Sequence, residues 1–199
     1  MTNFASKARS FRLLFSLSLC ALLASCASPG GKLQVKGAAT VFDMTVDTSL
    51  DWARIKSHRQ ELWTIDGVQL NRLLIFSKVK PNEHVFQMLK ERKSRPDGPW
   101  YRPGMRLDEL QTLVADGLAD QKWAGVTTTN LRPHEFGGVE GVRFDLQMAN
   151  ETGLIYQGTA AVAERNNVLT VLVWMAPREH YYGRDVAAVN SMLDGVRFN

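Results

Sequence analysis

Cysteine is nearly absent from this chain, and its scarcity removes whole classes of chemistry. The 199 residues contain two, Cys20 and Cys26, both close to the N-terminus. From Ala27 onward there is no internal disulfide, no thiolate metal cage and no cysteine nucleophile. Histidine is almost as scarce. His58, His84, His134 and His180 stand far apart, and none has a second histidine or a carboxylate at a ligand-like spacing, so no metal site is read from them. No G-x-S-x-G surrounds any serine, which removes a hydrolase elbow. Gly137-Gly138-Val139-Glu140-Gly141 lacks the Lys-Ser/Thr of a phosphate loop and reads as a hairpin turn.

Long hydrophobic runs are missing as well. Leu13 to Ala24 is interrupted by Ser16 and Ser18 and falls short of the roughly 20 apolar residues that span a bilayer. A large charge excess is missing too. The formal +4 includes Lys7, Arg9 and Arg12, with no acidic residue near them, so the chain from Cys26 onward carries 21 basic residues against 20 acidic ones. That near-neutral balance takes away the compositional support for a nucleic-acid partner.

What is present begins at the N-terminus. Lys7, Arg9 and Arg12 precede the apolar run, which gives way to small residues, the order of a secretory signal peptide. Its end, Leu23-Ala24-Ser25-Cys26, resembles the lipobox of bacterial lipoproteins. The resemblance implies cleavage between Ser25 and Cys26, a diacylglycerol thioether on the Cys26 sulfur, and acylation of the new amino group. A thiol suits that role because its thiolate is a strong nucleophile. The competing expectation is ordinary secretion with cleavage after Ala27, since Ser25 and Ala27 also satisfy a small-x-small rule. Two or more acyl chains suffice for stable anchoring where one does not. Ala27 stands where an aspartate would favour inner-membrane retention, so the family analogy points to the outer membrane, facing the periplasm. Residues 1–25 are thus expected to be the signal and 26–36 the lipidated cysteine with a flexible tether. Residues 37–199 are expected to form a single domain.

Within that domain Asp66-Gly67 is a tight-turn dipeptide between Glu61–Ile65 and Val68–Val79, which read as two antiparallel strands. An earlier strand is expected over Val41–Val46, while Leu50–Arg54 is too short to assign. Leu107, Leu110, Leu113, Val114 and Leu118 recur at helical spacing, with Asp108 and Glu109 in the first turn where they complement the dipole, and this helix is expected to end near Lys122. Turn signals at Gly137-Gly138, Asn150–Gly153 and Arg165–Asn167 divide the next stretch into four strand-length pieces. In one, Val142, Phe144, Leu146 and Met148 alternate with Arg143, Asp145 and Gln147, which assigns one face to a core and one to water. Val168–Met175 is apolar almost throughout, as in a strand buried on both faces. A second helix carries Tyr182, Val186, Val189 and Leu193 on one face and stops at Gly195. The fold class is α+β: a curved antiparallel sheet of about six strands with helices packed on it.

The region from 107 to 199 resembles the PsbP-like superfamily, which includes the extrinsic PsbP subunit of photosystem II and the DcrB-type lipoproteins. The residues that carry the resemblance are Gly138–Phe144, Tyr156-Gln157-Gly158, Val168–Trp174, Ala176-Pro177 and Leu193–Phe198. It implies a PsbP-like α/β/α sandwich used for docking, without catalytic residues to carry over.

The stretch 77–106 breaks the pattern. It holds Pro81, Pro96, Pro99 and Pro103, and the basic residues Lys78, Lys80, Lys90, Arg92, Lys93, Arg95, Arg102 and Arg106 against Glu83, Glu91 and Asp97. Only Val85–Lys90 is expected to be helical; the rest reads as loop. One expectation is a basic and aromatic contact, with Arg92, Lys93, Arg95, Trp100, Tyr101 and Arg102 facing an envelope protein or anionic lipid. The other is a solvated connection whose aromatics pack back on the sheet. Asp116 and Asp120, one helical turn apart, read as a solvated face. The functional expectation is therefore a membrane-anchored, non-enzymatic accessory module, with no cofactor beyond the acyl chains on Cys26. A hydrolase whose residues converge only in the fold and a small-molecule or lipid carrier with an apolar cavity are the alternatives.

Overall fold

The computed structural model describes residues 31–199. Eleven strands and two α-helices run in the order β1 (Lys32–Gln34), β2 (Gly37–Val41), β3 (Met44–Thr48), β4 (Trp52–Lys56), β5 (Gln60–Thr64), β6 (Arg72–Val79), α1 (Leu107–Asp120), β7 (Ala124–Glu135), β8 (Glu140–Ala149), β9 (Ile155–Arg165), β10 (Val168–Pro177), α2 (Gly183–Asp194) and β11 (Arg197–Phe198). A π-helical turn, Arg178–Tyr182, leads into α2. Eight strands form one antiparallel sheet in the order β1-β4-β5-β6-β10-β9-β8-β7, and β11-β3-β2 form a smaller one.

The three hairpins of the second half stand where their turn residues put them. Gly137 and Gly138 have φ of +64° and +87°, and Asn166 and Asn167 have +53° and +59°, conformations that glycine and asparagine tolerate. β10 pairs β9 through ten consecutive residues, Val168↔Arg165 to Pro177↔Tyr156, and pairs β6 on its other edge. It is interior to the sheet and buried on both faces, which explains its unbroken apolar run.

One face of the large sheet packs Phe76, Val142, Phe144, Leu146, Val171 and Val173 against Leu110, Leu113, Val114 and Leu118 of α1 and against Val85, Phe86 and Tyr101 of the loop between β6 and α1. The other face packs Trp52, Trp63, Ile75, Leu172 and Trp174 against Val189, Met192 and Leu193 of α2 and Val41, Met44 and Val46 of the small sheet. The result is three layers, but each outer layer pairs one helix with non-helical structure. The expectation of about six strands in an α/β/α sandwich is corrected to this extent. The additional strands are short ones, β1 to β4 and β11, whose three to five residues and two residues give little periodicity to read.

The front half brings further corrections. Val41–Val46 is not one strand but a two-residue hairpin, because Phe42 adopts φ +57° and Val41 pairs Met44. A phenylalanine there carries none of the usual turn chemistry. Lys32–Gln34, expected in the tether, pairs with β4 as β1. β6 begins at Arg72, not Val68, because Leu70 and Asn71 turn back to donate their amides to the Gly67 carbonyl.

Arg143 is the sharpest correction. Alternation along β8 predicts a place on its water face, yet the side chain is only 1% exposed, because α2 covers that face. Its guanidinium bonds Asp194 and Asn190 of α2 and the Thr159 hydroxyl of β9, and burial lowers its pKa. Alternation along a strand shows which residues share a face, not whether a second layer covers it.

Two more polar clusters fasten the same side. Asn71 accepts a hydrogen bond from Trp174 Nε1 (3.1 Å) and donates to Asp185 (2.6 Å), whose carboxylate also holds Arg184. Arg54 spans Glu61 of β5 and the Thr40 carbonyl of the small sheet, while Trp63 Nε1 donates to Glu61 at 2.9 Å. Buried charges persist only when paired and hydrogen-bonded, and both clusters meet that condition.

Candidate functional site

Between Val79 and Leu107 the chain crosses the α1 side of the sheet without forming a regular element. Isolated bridges Glu83↔Lys90, His84↔Trp100 and Arg92↔Arg95 take the place of a ladder. The helix expected over Val85–Lys90 does not form. The Glu91 amide donates to Asn82 O at 2.8 Å and the His84 amide to Leu89 O at 2.8 Å, which folds the segment back on itself instead.

Polar side chains then clamp this loop to the body. Glu83 is buried and accepts from Arg59 (2.6 Å) and the Lys80 amide (2.9 Å). Burial opposes its ionisation, but those two donors hold its pKa below the usual carboxylate range. His84 is 1% exposed. Its Nδ1 accepts from the Phe86 amide at 3.0 Å, which makes Nε2 the protonated nitrogen facing Asp120 Oδ2 at 2.9 Å. Burial lowers the His84 pKa, with Asp120 opposing. Asp120 is in turn held ionised, first by Arg95 and then by His84. A histidine beside a carboxylate invites a catalytic interpretation. Here both ring nitrogens are occupied and the ring lies edge-on to Trp100 at 5.8 Å, so the imidazole has no free position from which to take a proton from a substrate.

The helix surface beneath is shaped for the loop. A Cβ on Gly117 would lie 2.3 Å from Val85 Cγ1 and 2.9 Å from Phe86 Cδ2. Only glycine permits that approach.

The candidate contact residues divide sharply. Trp100 and Tyr101 are 6% and 0% exposed. The Trp100 indole donates to Arg95 O at 2.9 Å and the Tyr101 ring joins the core, so neither presents itself at the surface. Burial also raises the Tyr101 pKa. Arg95 pairs with Asp120, Arg102 with Glu91 (2.8 Å) and Arg106 with Asp108 (2.8 Å). Arg92 and Lys93 are exposed at the tip of the Arg92↔Arg95 turn. Among the described residues neither they nor Lys78, Lys80 and Lys90 form an ion pair. Met88 (65% exposed) and Leu89 (45%) stand just before Lys90. Ser25 and Cys26, the cleavage and lipidation residues, lie outside the described residues.

Phe76, Val79, Val85, Phe86 and Met88 line a recess of about 160 Å³ under the loop. An open groove of about 570 Å³ runs past Pro133, His134, Glu135 and Glu140. His134 contacts Phe136 edge-on at 4.6 Å, and burial lowers its pKa. Among the described residues no three His, Cys, Asp or Glu side chains are grouped to hold a metal, and no helix is long and apolar enough to cross a membrane.

Solved structures similar to this chain include three bacterial proteins. The cyanobacterial PsbP protein of Synechocystis sp. PCC 6803 superposes with a TM-score of 0.51 at 10% identity, over 88% of this chain and 98% of its own. The fold is PsbP-like. LpqN of Mycobacterium tuberculosis, a protein involved in cell envelope biogenesis, aligns over 87% of each chain at 11% identity with a TM-score of 0.40. A Bacteroides thetaiotaomicron protein aligns at 10% identity with a TM-score of 0.44, and this chain spans about half of it, 48%. No family model and no curated protein matches the sequence. The PsbP-like alignment extends well beyond the region 107–199 that carried the resemblance, so the front strands belong to the fold too.

The His84–Asp120–Arg95 cluster was not visible in the sequence. Its members lie 36 and 25 residues apart, and no local pattern joins them. The nearest signal was that Asp120 sits at the end of an amphipathic helix facing a stretch rich in basic residues.

Proposed function

We propose that the chain is a bacterial lipoprotein anchored through diacylglycerol on Cys26, and that its PsbP-like domain is a non-enzymatic accessory module of the cell envelope. The lipobox Leu23-Ala24-Ser25-Cys26 supports the anchor, and Ala27 in place of aspartate favours the outer membrane, facing the periplasm. The module docks on a partner bearing anionic groups, a protein face rich in carboxylates or a phospholipid surface, through the tip of the loop.

One observation carries the docking: the sorting of the loop's cations. Arg95, Arg102 and Arg106 are spent on internal carboxylates. Lys90, Arg92 and Lys93 are left exposed beside Met88 and Leu89, on a segment clamped by Glu83 and His84. A preformed surface of this kind avoids much of the ordering cost of binding. Cross-linking in cells followed by mass spectrometry tests it. Charge reversal at Lys90, Arg92 and Lys93 is expected to abolish recovery of the partner, and unchanged recovery removes the loop from the account.

A further inference from the structure

The edge strand β1 and its neighbour β4 carry an apolar strip that the fold leaves uncovered. Leu33 pairs with Ala53 across the ladder, and Ile55 pairs with Leu62, so these side chains share one face of the sheet. Further in on that face, Leu62 pairs with Leu74 of β6. There the loop and α1 begin to cover the sheet, and Leu74 packs against their core. Over β1 and β4 no described residue does. Leu33 is 65% exposed, Val35 just beyond β1 is 57%, and Ile55 is 42%. On the opposite face of the same two strands Lys32 stands in register with Arg54, and Lys56 with Glu61, 4.0 Å from its carboxylate; both lysines are exposed, as is Lys36 just beyond β1.

The strip lies where the chain enters the domain. A Cβ on Gly31 would be 3.1 Å from both the Arg54 backbone and Ile55 Cγ1, so the described chain begins against this edge. Cys26 precedes Gly31 by five residues, and covalent geometry limits that span to about 18 Å even when fully extended. If Cys26 carries the acyl chains, β1 is never far from the lipid head groups.

We propose that the β1–β4 edge rests on the anchoring membrane, with Leu33, Val35 and Ile55 entering the interface and Lys32, Lys36 and Lys56 facing anionic head groups. The inference rests on lipidation of Cys26. An edge with apolar side chains on one face and long, flexible lysines on the other suits a bilayer interface met edge-on. The same lysines disfavour pairing of the open β1 edge with another strand. The eight-stranded sheet then has a membrane edge, β1, and a distal edge, β7, and the module is held in one orientation.

The test uses the full acylated protein in vesicles of phosphatidylethanolamine and phosphatidylglycerol, with an environment-sensitive fluorophore on Leu33→Cys, Ile55→Cys or, as the distal control, Leu131→Cys, which replaces an exposed side chain on β7. Nitroxide-labelled lipid is expected to quench the label several-fold more at positions 33 and 55 than at 131. Adding Lys32→Glu, Lys36→Glu and Lys56→Glu is expected to reduce that quenching while the protein still floats with the vesicles. Equal quenching at all three sites, or none, overturns the orientation and leaves the anchor standing. A label at 33 or 55 that is shielded from water but not quenched by lipid means that a second copy or another protein covers the strip, and overturns it too. Loss of flotation, with an intact mass that shows no acyl chain, defeats the anchor and this inference together.

Discussion

The β8–β10 hairpins and the loop 80–106 both cover the same core, yet different forces hold them. The hairpins rest on continuous backbone ladders and apolar burial, with ten residue pairs between β9 and β10. The loop also buries Val85, Phe86, Trp100 and Tyr101, but in place of a ladder it has three isolated bridges and polar clamps at Glu83, His84 and Asp120. Repetitive forces leave periodic sequence, whereas clamps leave single residues. The region best suited to present function is therefore the one whose sequence is hardest to read.

Substitutions can sharpen or break that contrast. Trp174→Ala, at a fully buried residue of β10, is expected to cost about 3–5 kcal/mol by chemical denaturation. A silent substitution would contradict the central place of that strand. Gly117→Ala should cost about 1–3 kcal/mol by overpacking against Val85 and Phe86. Its effect on hydrogen exchange should concentrate in the loop, and uniform loss of protection would mean that the loop is not a separable layer.

The clamp also predicts a pH dependence with a definite sign. His84 has its folded pKa below the 6.5 of the unfolded chain, so the unfolded state binds the proton first as pH falls. Its contribution is complete above that value and is lost on acidification below it. His134 shifts in the same direction, so thermal unfolding of His84→Gln between pH 5 and 7.5 is expected to flatten the profile only in part. An unaltered profile would remove His84 from the clamp. Smallest of all should be the effect on stability of reversing Lys90, Arg92 and Lys93, within about 0.5 kcal/mol, because no described partner depends on them. A large loss of stability would show that these cations hold the loop and are not free to meet a partner.

The same contrast decides what could be read in advance. The unbroken apolar run Val168–Met175, the glycine and asparagine turns and the helical spacing in α1 point to the sheet's centre, the hairpins and the helix, because each is a pattern carried by neighbouring residues. Phe42 at a positive φ and the burial of Arg143 by α2 repeat nothing, and no local pattern announces either. In the site, the charge imbalance of 77–106 pointed to the loop. Which cations stay free was settled by partners 11 and 25 residues away, a spacing no local pattern encodes. The burial of Trp100 and Tyr101 follows from the loop folding back on the sheet, which prolines permit but do not announce.

All of the functional account depends on what the Cys26 sulfur carries. The most direct measurement is the mass of the N-terminal peptide of the protein isolated from membranes of its native host. The account predicts a chain that starts at Cys26 with diacylglycerol attached. A soluble chain that starts at Ser28 without lipid would contradict it.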